Sequence, residues 1–258
     1  MKSRLYFLLG FLLLINSCKE ADFMSYQDID RLQFGPDNPA LIYRSDYETN
    51  WKFRDTTKTY SFYFEQEDVT VDTLYFDMYT LGKVTDYDRP YKLVQVQEPN
   101  VDNAIPGVHY QAFDAPKSEE LYVVKAGQSH IRVPIVFFRD ASLAEKPFIL
   151  SIQIGANEHF DLGPATNVWR KATVADRLLQ PTAWNASATT YYWGKYSTVK
   201  HQFMIDATGQ QWDQDMMSSL AYDETTYYRA VLKRALADYN NEYPDPLEDE
   251  FGDLVVFP

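Results

Sequence analysis

Ser129-His130-Ile131-Arg132-Val133-Pro134-Ile135-Val136-Phe137-Phe138 is the stretch from which the fold is read. Ile131, Val133, Ile135 and Phe137 occupy every second position, so on an extended chain they share one face, whereas a helix would scatter them. Lys125-Ala126-Gly127-Gln128 supplies a turn just before the run, and with 120–124 as its partner the segment predicts a hairpin. The same period recurs on both sides. Leu74, Phe76 and Met78 share a face within 72–79, with Asp77 opposite. Phe148, Leu150, Ile152 and Ile154 share one within 147–154. Tyr60-Ser61-Phe62-Tyr63-Phe64 and 91–97 read as further strands. Short strands separated by turn signals predict a β-sandwich over 38–164.

Beyond residue 165 the pattern changes. Thr173-Val174-Ala175-Asp176 reads as a capping box that opens a short helix, 174–179, ahead of Pro181. Residues 184–205 read as aromatic and extended. Tyr228, Val231, Leu232, Ala235, Leu236 and Tyr239 recur at helical spacing, with Thr225 or Thr226 as cap and Asn240-Asn241 as the stop. Leu254-Val255-Val256-Phe257 reads as a final strand. The fold class is therefore mainly β, a sandwich followed by a small α+β domain over 165–258.

Composition narrows the function. Of 258 residues, 24 are Lys or Arg and 37 are Asp or Glu, a net charge of −13. That acidity excludes a nucleic-acid binder, which needs a basic face, and docking on anionic lipid through charge. One Cys excludes an internal disulfide and a cysteine-built zinc site. Twenty Tyr, 16 Phe and 5 Trp favour sheet and recognition surfaces.

The first 17 residues, MKSRLYFLLGFLLLINS, carry Lys2 and Arg4 ahead of an apolar run over 5–15. That run is shorter than the ~20 residues of a membrane span and reads as a signal peptide, 1–17. Ile15-Asn16-Ser17-Cys18 resembles the bacterial lipobox. The resemblance implies diacylglyceryl transfer to the Cys18 sulfur, cleavage before Cys18, and acylation of its new amine. Residues 18–37 would then be a lipidated N-terminus and tether. Lys19-Glu20-Ala21-Asp22 resembles the acidic export signal of Bacteroidetes surface lipoproteins. The implied location is the outer membrane, lipid-anchored and facing the cell exterior, with a periplasm-facing anchor as the alternative. Asp55-Thr56-Thr57 and Asp72-Thr73-Leu74 match the short motif at which Bacteroidetes attach O-glycans.

Gly107-Val108-His109-Tyr110, Val124 to Gln128, Val133-Pro134-Ile135 and Phe148-Ile149-Leu150-Ser151-Ile152 resemble Calx-β and immunoglobulin-like modules. This makes the expected sandwich immunoglobulin-like. Calx-β motifs carry Asp where His109 stands, so calcium is not expected. Of the four His, namely His109, His130, His159 and His201, none has the two-His helical spacing of a zinc protease. No Gly-x-Ser-x-Gly elbow, Walker loop or dinucleotide fingerprint appears. The expectation is no catalytic residue, no metal and no cofactor. Asp86/Asp88, Asp213/Asp215 and the acids of 248–253 read as solvated loops; a glycosidase needs two carboxylates facing across one cleft.

Trp184, Tyr192, Trp193 and Tyr196 form the candidate binding constellation, with Tyr191 and Trp212 near it. Exposed aromatic planes stack on sugars or clamp peptides, and the same residues pack equally well as a core. On a strand Tyr192 and Trp193 face opposite ways, so one is expected exposed and its neighbour structural.

Gly194-Lys195-Tyr196-Ser197-Thr198-Val199-Lys200-His201-Gln202-Phe203-Met204, Gly209-Gln210-Gln211-Trp212 and Asp253-Leu254-Val255-Val256-Phe257-Pro258 are similar to a family of Bacteroidetes lipoproteins of unknown function, commonly encoded beside SusC/SusD-type transporters. The resemblance implies a non-catalytic accessory subunit of such an outer-membrane uptake complex that helps bind an oligopeptide or oligosaccharide. A surface hydrolase and a structural or adhesive surface protein are the alternatives. The lipobox predicts that Cys18→Ala releases the protein from the membrane or leaves its precursor uncleaved. Fractionation and processing identical to wild type would contradict it.

Overall fold

A computed structural model describes residues 28–36, 38–43, 56–116 and 118–258. The signal peptide, Cys18, the acidic tetrapeptide 19–22 and Asp55 lie outside the described residues. Among the described residues no helix is long and apolar enough to cross a membrane.

The strands are β1 (Arg31–Phe34), β2 (Thr57–Ser61), β3 (Val71–Leu81), β4 (Arg89–Pro90), β5 (Lys92–Val96), β6 (Val123–Val124), β7 (His130–Phe138), β8 (Phe148–Gly155), β9 (Asp161–Leu162) and β10 (Trp169–Ala175). They build two four-stranded sheets, ordered β7-β3-β1-β9 and β2-β10-β8-β5, and a ribbon of β4 with β6. Each sheet is mixed: β1 runs parallel to β9 and β2 parallel to β10. The alternation read from the sequence is the core. Val133, Ile135 and Phe137 of β7 and Phe76 and Met78 of β3 are fully buried, packed in one cluster with Leu150, Ile152 and Ile154 of β8. Tyr60 stacks on Phe137 at 5.8 Å, joining the two sheets across the core. Pro134, which has no N–H to donate, sits on the edge strand β7, where the ladder tolerates it.

Several boundaries move. β7 pairs with β3, Leu74 opposite Ile135 and Phe76 opposite Val133, and not with 120–124. The expected hairpin fails because α1 (Ser118–Leu121) takes up most of its first arm and β6 pairs with β4 instead. The tether is shorter than 18–37, since β1 buries Leu32 and Phe34 completely. The sandwich extends beyond 164. In β10, Arg170, Ala172 and Val174 point into the core while Trp169, Lys171 and Thr173 face out. That period-two burial overrides the capping-box reading of 173–176. Asp176 takes the Arg139 guanidinium in two parallel bonds of 2.8 and 2.9 Å instead.

The second unit is mostly helical, its β part reduced to a bridge between Glu248 and Leu254. With α2 (Ser142–Glu145) in the sandwich, the remaining helices are α3 (Ala186–Ala188), α4 (Thr198–Thr208), α5 (Gln214–Ser219) and α6 (Tyr222–Glu242), plus a π-turn over Thr189–Trp193. The extended reading of 184–205 is thus corrected. Asn185 Oδ1 accepts from the Ser187 and Ala188 N–H groups, and Ser197 Oγ from that of Lys200, so two N-caps start helices there. α6 starts at Tyr222, ahead of the expected threonine caps, because Glu224 accepts from the Ala221 N–H at 2.9 Å. Residues 254–257 keep period-two burial, Val255 and Phe257 in and Leu254 and Val256 out, without a partner strand past the bridge among the described residues.

Trp184, Trp193, Trp212, Met204, Leu232 and Leu236 are the core of this unit. Trp193 meets Trp212 edge-to-face at 5.0 Å, and Trp184 meets Tyr196 likewise at 5.1 Å. The Trp184 indole N–H donates to Gly194 O, and that of Trp212 to Thr208 Oγ1. Gly194 has φ +77°, and a Cβ there would sit 2.8 Å from Val256 O, so the C-terminal segment presses on it. Glu250 from that segment accepts from the Thr198 N–H and hydroxyl and the Val199 N–H, an acid at a helix N-terminus.

Two outcomes are expected. Trp193→Ala should cost about 3–5 kcal/mol, as for a buried large aromatic. Tyr191→Ala, 61 % exposed, should stay within about 0.5 kcal/mol of wild type. Equal melting temperatures for the two variants would contradict the assignment. Stability should also fall in two steps with acid. Burial holds His109 and His201 below their ordinary value, so the folded state keeps them neutral. The unfolded chain protonates both near pH 6.5, and their contribution is lost as pH drops below that value. Partial burial pushes Glu250 up, but its hydrogen bonds outweigh this and hold it at about 2 against an ordinary 4.5. Its contribution is present above pH 4.5 and is lost as pH falls toward 2. Thermal melts from pH 7 to 2 should show both steps, with Glu250→Gln flattening the lower one. A flat profile from pH 7 to 5, or an unchanged lower step in that variant, would contradict the account.

Candidate functional site

The aromatic constellation of the sequence does not form a surface. Trp184 is 1 % and Trp193 2 % exposed; Tyr192 and Tyr196 are half-buried against them. Burial pushes the Tyr196 hydroxyl up to about 12, and that hydroxyl meets His201 Nδ1 at 3.4 Å. Of the four residues expected at a binding site, the two tryptophans are structural and the two tyrosines pack on them. The exposed member is Tyr191. The expected split between Tyr192 and Trp193 is seen in part: Trp193 is core, while Tyr192 is covered by neighbours because the segment is a π-turn and not a strand.

His109 Nε2 lies 2.9 Å from Ser142 Oγ, and Ser142 donates to Asp140 at 2.5 Å. The Ile105 N–H donates to His109 Nδ1 at 3.0 Å. Nδ1 is therefore the acceptor and Nε2 carries the hydrogen. An activated serine needs the opposite, a free Nε2 that takes its proton. The chain of bonds satisfies a buried ring and anchors α2. Among the described residues no three His, Cys, Asp or Glu side chains converge as a metal site would require.

A cleft of about 440 Å³ opens instead on the sandwich, within the size range of small-molecule sites. Its floor is the outward face of β5, β8 and β10. Trp169 pairs directly with Gln153, and Gln153 with Val94; one step along, Lys171 pairs with Ser151, and Ser151 with Val96. Direct cross-strand partners have Cβ atoms about 4.5–5.5 Å apart, so Trp169 and Gln153 lie side by side. The wall is the connector from β9 to β10, contributing Leu162, Gly163, Ala165 and Val168. Gly163 is held there by close approach: its N–H donates to Leu32 O, and a Cβ would sit 2.6 Å from that oxygen. Any other residue would push the wall off β1.

The cleft's charges are internally balanced. Glu98 accepts from Lys171 Nζ at 2.7 Å and from Ser151 Oγ, and these bonds hold its carboxyl below the usual range. Asn103 fixes the Glu98 backbone, accepting from its N–H and donating to its C=O. Arg170 turns inward, 1 % exposed, over the Phe34 ring and donating to Trp169 O. Two groups are left uncommitted among the described residues: the Gln153 carboxamide and the Trp169 indole N–H, on a ring 38 % exposed. The sequence reading passed over both. Asn167-Val168-Trp169-Arg170-Lys171-Ala172-Thr173-Val174 does alternate, and that signal places Trp169 on the outward face of a strand.

No curated protein matches the chain. Solved structures from Bacteroides align with 57 % of it. One, from Bacteroides ovatus, is described as a "putative carbohydrate binding protein", at 7 % identity and TM-score 0.34 over 37 % of its own length. A two-domain protein of unknown function from Bacteroides fragilis aligns at 11 % identity and TM-score 0.31 over 45 % of its length. Another Bacteroides ovatus protein of unknown function aligns at 14 % and 0.32 over 44 %. The chain thus spans less than half the length of each. The family model described as Domain of unknown function (DUF4843) matches residues 40–210, from the connector that follows β1 through α4, and the chain belongs to that family.

Proposed function

We propose that the chain is a non-catalytic binding protein of the bacterial surface, held in the outer membrane by lipid on Cys18. In this reading it serves as an accessory subunit of a SusC/SusD-type uptake complex and holds an oligopeptide or oligosaccharide cargo. The observation that carries the binding role is the cleft. Among the described residues Glu98 is the one carboxylate lining it, and Lys171 and Ser151 already occupy that group. A hydrolytic pair needs a second carboxylate across the gap. What the cleft offers is an open aromatic ring, a carboxamide with spare bonding capacity and apolar walls, the composition of a recognition site.

The anchor and the partner rest on the lipobox and the family resemblance. A lipid anchor would confine chain and transporter to one membrane, raising their effective concentration, so a weak interface would suffice. Purification of the tagged, lipidated chain from outer membranes in mild detergent should bring a TonB-dependent transporter and its lipoprotein lid with it. Cys18→Ala should lose that association. A chain recovered alone, or in a soluble fraction, would contradict the proposal.

A further inference from the structure

Resting on the reading of the cleft as a binding site, we infer that it takes a neutral oligosaccharide, one pyranose ring stacked on Trp169 with its hydroxyls on Gln153 and Glu98. Each part of the cleft selects against another ligand class. A peptide that binds by main-chain pairing needs a free strand edge. Here β10 lies between β2 and β8, and β8 between β10 and β5, so the strands that carry Trp169 and Gln153 are interior to the sheet and of the floor strands β5 alone is an edge. An anion would need an unbalanced cation, and Lys171 is spent on Glu98 while Arg170 faces the core. The net charge of −13 opposes an anion further. A cation would find Glu98 already neutralised. A purely apolar ligand would bury the Gln153 amide unpaired, at the full cost of its desolvation.

A pyranose meets all four conditions. One face of the ring is C–H and apolar, matching an indole plane, and its rim is hydroxyl, each group both donor and acceptor. Gln153 offers two donors and an acceptor, the Trp169 indole N–H one donor, and Glu98 acceptor lone pairs beyond those in use. The apolar wall of Leu162, Ala165 and Val168 would cover the far side of the ring.

The test uses the full mature chain and an array of neutral oligosaccharides of glucose, xylose, mannose, galactose and N-acetylglucosamine, with oligogalacturonate and casein tryptic peptides beside them. Binding to at least one neutral oligosaccharide is expected. Trp169→Ala should weaken it about tenfold or more, the loss of an aromatic anchor, with an unchanged melt. Trp169→Phe should retain part of the affinity, and Tyr191→Ala all of it. The inference is overturned if no neutral oligosaccharide binds, if binding survives Trp169→Ala, or if the anionic or peptide probes bind in a Trp169-dependent manner. That last outcome would leave the cleft as a binding site and change only its ligand. Loss of the transporter association with intact oligosaccharide binding would instead remove the partner and keep the ligand.

Discussion

The close approach of Gly163 to the Leu32 carbonyl is the contact on which the shape of the cleft depends. At this point the chain leaves the sheet containing β1 and β9 and crosses to the sheet containing β10. A side chain cannot fit between the two backbones. The crossing is therefore tight, and residues 163–168 are held as a wall along the outward face of β8 and β10. β10 then does two things. Its inward residues close the core with β8, and its outward residues form the cleft floor. Arg170 makes the division clear: buried over Phe34, it removes a charge from the cleft that its position beside Trp169 would otherwise supply.

The abundance of aromatic residues splits along the same line. In the sandwich they tie the sheets together, as Tyr60 does on Phe137, and fill the core within one sheet, as Phe34 does against Phe76. In the helical unit they substitute for a larger aliphatic core, Trp193 meeting Trp212 and Trp184 meeting Tyr196 edge-to-face, with the indole N–H groups of Trp184 and Trp212 satisfied internally. Trp169 follows neither pattern. Its ring is partly open and its N–H has no partner among the described residues, at the first residue of β10 beside Gln153. The two units touch through Ser61, which donates to Arg177 O, and through Tyr63 and Gln202.

Strands were legible wherever apolar residues alternate in the sequence, as in 72–79, 129–138 and 147–154, because those residues lie on a single core. Partners were not, since alternation fixes which face is buried and says nothing of which strand lies alongside. The long register of β3 with β7 competes with the local hairpin and wins on apolar pairs. The reading of 184–205 as extended failed for a different reason. Aromatic content outweighed two capping signals, Asn185 and Ser197, that local hydrogen bonding makes decisive. The same weight on clustered aromatics drew attention to Trp184 and Trp193 and away from Trp169, which is isolated in sequence and gains its neighbours Gln153 and Glu98 only through sheet pairing.

In the proposed reading Trp169 is the open aromatic of the sandwich cleft, and the clustered tryptophans form a core. Hydrogen exchange of the tryptophan indole N–H groups, followed in a nitrogen-15 spectrum of the mature chain, tests this directly. The indole of Trp169 should exchange orders of magnitude faster than those of Trp184 and Trp212, whose N–H groups are buried and bonded to Gly194 O and Thr208 Oγ1. A protected Trp169 with freely exchanging Trp184 and Trp212 would contradict it and return the aromatic cluster to the surface.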